Sequence, residues 1–266
     1  MKALEALDYN KERVEPLPLF SSKITKDPHY FDIGTTAFRL LMFGICYYLG
    51  ECYPQNIEEI NELLYSGGIA RDELSIFTTI YGIKSLKGKE VHKGWQAFHD
   101  EGEPLHISIK NLNSIDQLIF SGNHIYIFEN PVVFMEVINR IQNVEPVKRP
   151  ALICAGGQLN TASLMLLDKL HKAGATLYYS GDFDPEGIKI ADKLKTRYGD
   201  NLILWRYSRE DYLMIKGNKT FESRKQKLSN IENKELIEIK EALEHYKVCG
   251  YQELLIAQYV SDIRRG

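Results

Sequence analysis

Four short runs of apolar, β-branched and aromatic residues mark the second half of the chain: His124 to Phe128, Ala151 to Cys154, Thr176 to Ser180 and Leu202 to Arg206. Such side chains suit a pleated surface, and each run is short, so each predicts a strand. Between them the apolar spacing becomes helical. Phe134, Val137, Ile138 and Ile141 share one helical face, and Ile188, Ala191, Leu194 and Tyr198 share another. Strands alternating with helices predict a parallel sheet covered by helices.

The first half reads differently. Pro16, Pro18 and Pro28 predict an irregular stretch over residues 1 to 35. Residues 36 to 83 predict three helices: one capped by Thr35 or Thr36, one after Asn56 that ends at Gly67-Gly68, and one over the apolar stretch Leu74 to Ile83. Three short helices fit a winged-helix-like unit or a plain helical cap. Residues 84 to 123 are mixed, with a strand expected from Leu105 to Ile109. Two apolar stripes, Leu236 to Tyr246 and Tyr251 to Tyr259, predict a helical tail that faces a core. The expected division is a helical domain over 1–110 and an α/β domain with C-terminal helices over 111–266.

Composition narrows the class. The chain has 266 residues, 44% of them hydrophobic and 26% charged, as in ordinary globular proteins. The run Leu40 to Leu49 reads as a buried helix, too short to span a membrane. No signal peptide is seen at the N-terminus, so the expected location is the cytoplasm. Cys46, Cys52, Cys154 and Cys249 make no metal-ligand spacing, and Cys154 fits a core position. The net charge of −3 carries no global nucleic-acid signature. Locally the picture changes. Residues 203 to 234 hold eight Lys or Arg against four Asp or Glu. Arg206, Arg209, Lys216, Lys219, Arg224, Lys225 and Lys227 are candidate phosphate contacts. A weaker basic run spans Lys84 to Lys93, and His29 either ties down a loop or meets a phosphate.

The chemistry concentrates at Ser180-Gly181-Asp182-Phe183-Asp184-Pro185-Glu186-Gly187. Asp184 is a natural N-cap and Pro185 a natural first helical residue, so two carboxylates sit where a strand ends and a helix begins. That rim of an open α/β sheet is where ligands bind. Crowded carboxylates repel, and a hard divalent cation relieves the repulsion. A third carboxylate, Glu129, ends an earlier strand and precedes a second cap pair, Asn130-Pro131. Gly156-Gly157 after the second strand serves either a tight turn or a phosphate.

Together, Gly181-Asp182-x-Asp184-Pro185 and the earlier Glu129 resemble the two acidic motifs of the TOPRIM domain. Pro28-His29-x-Phe31-Asp32, Arg71-Asp72-Glu73-Leu74-Ser75 and Glu129-Asn130-Pro131 also look like the C-terminal part of the JetD-type nuclease subunit of Wadjet anti-plasmid systems, a relative of the topoisomerase VI A subunit. The resemblance implies a TOPRIM sheet with Glu129, Asp182 and Asp184 as catalytic and metal-binding residues, and Mg²⁺ or Mn²⁺ as cofactor. It implies a homodimeric, metal-dependent DNA endonuclease that acts on double-stranded DNA beside SMC-like subunits. Topoisomerase VI A-type proteins carry a nucleophilic tyrosine just after an Arg-Asp pair. Here no tyrosine follows Arg71-Asp72 before Tyr81, which favours water as nucleophile. The other readings are a DNA-binding scaffold with a vestigial site and a topoisomerase-like transesterase.

Overall fold

The computed structural model describes residues 2–11, 13–142, 144–157, 159–221, 228–229, 231 and 233–265. It divides into two compact units: Met1–Phe77 with Ile107–Ile115 and Asn160–Leu166, and Thr78–His106 with Asp116–Leu159 and Leu167–Gly266. No helix among the described residues is long and apolar enough to cross a membrane.

The first unit is mainly helical: α1 (Leu17–Thr25), α2 (Thr36–Leu49) and α3 (Ile57–Ser66). Its core joins Leu17 and Phe20 of α1, Phe38, Leu41, Met42 and Ile45 of α2, and Leu63 and Leu64 of α3. Three expectations change here. Residues 1 to 35 are not all irregular, because Pro18 sits in the first turn of α1, where a missing N–H costs nothing. The run Leu40 to Leu49 is helical but buried on one face only; Leu40, Phe43 and Tyr47 lie on the other, exposed. The third helix does not form. Phe77–Tyr81 is a strand, rich in β-branched and aromatic residues, with Thr78 and Ile80 turned inward.

That strand, β1 (Phe77–Tyr81), belongs to the sheet that organises the second unit. The others are β2 (Leu105–Ser108), β3 (His124–Phe128), β4 (Ala151–Cys154), β5 (Thr176–Ser180) and β6 (Leu202–Leu204). Their order across the sheet is β6-β5-β3-β4-β1-β2. The four strands expected from the sequence are parallel neighbours, β6 to β5, β5 to β3 and β3 to β4. The sheet as a whole is mixed rather than parallel, because β1 runs antiparallel to β4. Helices α4 (Pro131–Ile141), α5 (Thr161–Lys172) and α6 (Pro185–Tyr198) connect the parallel strands.

The strand order fixes one place above the others. The chain leaves β3 toward β4 on one side, then crosses back to lay β5 on the other side of β3. At such a reversal the two connections diverge and leave a crevice beyond the carboxyl ends of the strands. Phe128 pairs with Ser180 in the last register position of β3 and β5. Glu129 and Gly181 therefore leave the sheet side by side at that crevice.

The C-terminal segment closes over this edge. After α7 (Arg209–Ile215), strand β7 (Lys216–Thr220) pairs antiparallel with β8 (Val248–Gly250), which follows α8 (Ile237–Tyr246). A short turn, Gln252–Leu255, leads into α9 (Ile256–Arg265). Leu236, Ile239, Leu243, Leu255 and Tyr259 are buried as their stripes require, whereas Tyr246, at the end of the first stripe, is exposed and Tyr251 is half-buried.

Candidate functional site: three carboxylates at the sheet reversal

Local sequence sets each acid in place. The Asn130 side chain accepts the Val132 N–H at 2.8 Å, so Asn130 caps α4, which starts two residues after Glu129. The Asp184 carboxylate accepts the Gly187 N–H at 2.8 Å, and Pro185 opens α6. Two glycines make room. A Cβ at Gly181 would lie 2.5 Å from Glu129 Oε2 and 2.6 Å from the Tyr179 hydroxyl. A Cβ at Gly187 would collide with the Asp182 carbonyl oxygen. A side chain at Gly181 would push the Glu129 and Tyr179 tips aside, and one at Gly187 would displace the Asp182 backbone.

Glu129 Oε2 accepts the Tyr179 hydroxyl at 3.2 Å and the Asp182 N–H at 3.3 Å. Burial, then repulsion by Asp182 and Asp184, pushes the Glu129 carboxyl up to about 8, against the pull of those two donors. Burial also pushes Asp182 up to about 6, with Glu253 and Asp184 adding to it and the Gln252 N–H opposing. The groups acting on Glu129 are carboxylates, a phenol and a peptide N–H; none is a cation.

The donor set is all carboxylate oxygen, which suits a hard divalent cation and no soft one. The raised proton affinities have the same meaning, since a proton and a metal cation relieve the same repulsion. As the side chains stand, no group of three or more His, Cys, Asp or Glu among the described residues is arranged to hold a metal ion. Glu129 and Asp184 each turn an oxygen to a protein donor instead. Glu129, Asp182 and Asp184 fit such a cation by charge and donor type.

Four site residues escaped the sequence reading. Tyr179 is buried in β5 and bonds Glu129. The Tyr207 hydroxyl donates to the Asp182 carbonyl at 2.8 Å. The Gln252 N–H donates to Asp182 Oδ1 at 2.9 Å, and Glu253 accepts the Asn130 amide at 2.7 Å. The tyrosines belong to apolar runs, and the last two are far away in sequence. No local pattern marks them.

The remaining candidates are scattered. The Arg206 guanidinium forms a two-point pair with Asp262, at 2.7 and 2.7 Å, which leaves its fork occupied. Those hydrogen bonds hold the Asp262 carboxyl below the usual carboxylate range. Arg209, Lys216 and Lys219 are exposed, with the Lys216 ammonium 3.7 Å above the Tyr246 ring. Arg224, Lys225 and Lys227 lie outside the described residues. His29 pairs with Asp32 at 2.9 Å within its own turn. Asp72 accepts the Leu74 N–H at 2.7 Å, so it shapes a turn. Tyr81 is buried in β1 beside Arg149. Gly156 and Gly157 both take a left-handed conformation, and the Gly157 N–H bonds the Glu129 carbonyl at 2.9 Å.

Comparison with curated proteins gives no match. Two family models do match. Residues 1–85 fit one described as protein of unknown function N-terminus (DUF3323). Residues 105–263, more than half of the chain, fit one described as protein of unknown function C-terminus (DUF2399). The chain therefore belongs to the family of that second model, protein of unknown function C-terminus (DUF2399).

Proposed function

We propose that the protein is a divalent-metal-dependent DNA endonuclease with a TOPRIM-type site. The observation that carries this reading is the convergence of Glu129, Asp182 and Asp184 at the sheet reversal, where Glu129 holds its proton up to about pH 8 without a cation. Glu129, Asp182 and Asp184 would hold Mg²⁺ or Mn²⁺, which supplies charge stabilisation at a phosphodiester and an activated water. Asp184 also fixes the first turn of α6, so the carboxylate is held by a rigid element. The Glu129 carboxylate is held by the Tyr179 hydroxyl and the Asp182 N–H, and we assign it to bridge a metal or accept the proton of the attacking water. Burial of the acids strengthens their interaction with a bound cation.

The exposed Arg209, Lys216 and Lys219 supply positive charge on the same unit, and we assign them to the phosphates of double-stranded DNA. Arg206 serves instead as an anchor for α9 through Asp262. Water is the nucleophile in this reading. Tyr81 is buried in a strand, and its hydroxyl is pushed to higher pKa by that burial, both unfavourable for attack on a phosphate. The motif resemblance further supports action in the cytoplasm, as a homodimer beside SMC-like subunits of an anti-plasmid complex.

The test is cleavage of supercoiled plasmid with Mg²⁺ or Mn²⁺, alone and with partner subunits. The parent protein is expected to cut, and Asp182→Asn and Asp184→Asn to lose at least about a hundredfold in rate while staying folded. Undiminished cutting by Asp182→Asn would reject the assignment. Mn²⁺ binding without cutting under any condition would leave a DNA-binding scaffold.

A further inference from the structure

The C-terminal turn contributes to the acid site in a way that its stripe of apolar residues conceals. Gln252 is 0% exposed, yet it is an amide. Its main-chain N–H donates to Asp182 Oδ1 at 2.9 Å. Its side-chain oxygen accepts the N–H of Asn130, the residue after Glu129, at 3.2 Å. One residue thus touches both acidic loops, which are 53 positions apart in the chain.

The neighbours of Gln252 repeat the pattern. Glu253 accepts the Asn130 side-chain amide N–H at 2.7 Å, which turns the Asn130 Oδ1 toward the first turn of α4. Gly250 exchanges two backbone hydrogen bonds with Phe183, the residue between the two aspartates, at 2.9 and 3.0 Å. The Tyr259 hydroxyl lies 2.6 Å from the Ser180 hydroxyl at the end of β5. Among these, Gln252 alone reaches across from one loop to the other.

Its chemistry argues for that purpose. The Gln252 side chain also hydrogen-bonds the Tyr259 hydroxyl, so both ends of its amide are engaged. Burying an amide costs desolvation, and a methionine or leucine would fill a similar volume without that cost. What an apolar residue lacks is an acceptor for the Asn130 N–H. We infer that Gln252 is a positioning residue whose side-chain oxygen ties the Glu129 loop to the Asp182 loop and so fixes the spacing of the carboxylates. The inference deepens the proposed metal site and rests on it for its consequence, but the tie itself is read independently.

The test compares the parent with Gln252→Met and Gln252→Glu. Met keeps the volume without an acceptor, and Glu is an uncharged stand-in for Gln only when protonated, so its exchange is read at about pH 5, where burial among carboxylates keeps it so. Hydrogen exchange of the Asn130 amide reads the tie directly. In the parent that amide is expected to exchange at least about tenfold more slowly than exposed turn amides. In Gln252→Met the protection is expected to vanish while the amides of Thr176 to Ser180 stay protected, and the protonated Gln252→Glu is expected to restore it. Mn²⁺ titration by calorimetry of the parent and Gln252→Met reads the consequence: affinity falls about tenfold in Gln252→Met, as for outer partners of metal ligands. Parent-like exchange at Asn130 in Gln252→Met would overturn the inference. Should Gln252→Met fail to fold, an unprotected Asn130 amide in the parent would overturn it equally. A parent that shows the protection and binds Mn²⁺ but cuts no DNA would instead defeat the nuclease reading and leave the tie standing.

Discussion

At the scale of the residue, the site stores unfavourable electrostatics. Glu129 rises from 4.5 unfolded to about 8 folded, and Asp182 from 3.8 to about 6. The folded protein therefore holds protons that the unfolded chain has already released. Stability falls as pH rises through that window, most of it between about pH 4.5 and 8. Thermal melts without divalent ions are expected to show that decline, and Mn²⁺ to reverse it above pH 7. Glu129→Gln removes one of the charges and is expected to melt a few degrees above the parent at pH 8, though inactive. A melt lower than the parent's would contradict the electrostatic account. Gly187→Ala tests the close approach at the same scale. Its Cβ meets the Asp182 carbonyl, and overpacking of this kind costs about 1–3 kcal/mol, measurable by urea unfolding. The acids themselves were legible in the sequence because their grammar is local: Asn130-Pro131 and Asp184-Pro185 each announce a helix start just after a strand. Gln252 and Glu253 were not, since their partner Asn130 stands more than 120 positions earlier.

At the scale of the element, the parallel strands were legible and the antiparallel one was not. His124 to Phe128 and Thr176 to Ser180 are uniform in side-chain type and bounded by turns. Leu74 to Ile83 begins in a turn that Asp72 caps from outside the run and continues as a strand, so its ten residues looked long enough for a helix. Its neighbours in the sheet, Leu105–Ser108 and Ala151–Cys154, lie well downstream in sequence, and pairing with them adds to the strand propensity of Phe77–Tyr81 to decide the outcome. Helix α9 shows how a distant element is fastened. Asp262 takes both the Arg206 guanidinium and the Trp205 indole N–H, at 2.9 Å for the latter. Asp262→Ala leaves the partly buried Arg206 without its main partner. It is expected to cost about 1–3 kcal/mol in chemical denaturation and to speed hydrogen exchange in α9 before the sheet. Equal exchange in α9 of Asp262→Ala and the parent would show that α9 is held by its apolar face alone.

At the scale of the whole molecule, charge is distributed rather than summed. A net charge of −3 hides a basic stretch over residues 203 to 234 and an acidic rim on the same unit. Reversing Arg209 and Lys216 to Glu is expected to weaken duplex binding for every sequence tested and to flatten its dependence on salt. An unchanged salt slope would remove these side chains from the interface. Tyr81→Phe is expected to leave plasmid cleavage within about twofold of the parent, because the buried hydroxyl takes no part in a hydrolytic route.

The groups that fasten the acid loops, on Gly250, Gln252 and Tyr259, all come later in the chain than the acids themselves. All three carboxylates have left the ribosome well before Val248, Gly250 and Gln252 appear. Domains fold largely as they emerge, so the sheet forms first around an acid cluster that lacks its fastenings. A nascent chain is thus expected to carry its acid cluster unfastened until α9 has emerged, and a stop codon ahead of Val248 is expected to leave Glu129, Asp182 and Asp184 in the chain without the contacts that tie their loops together.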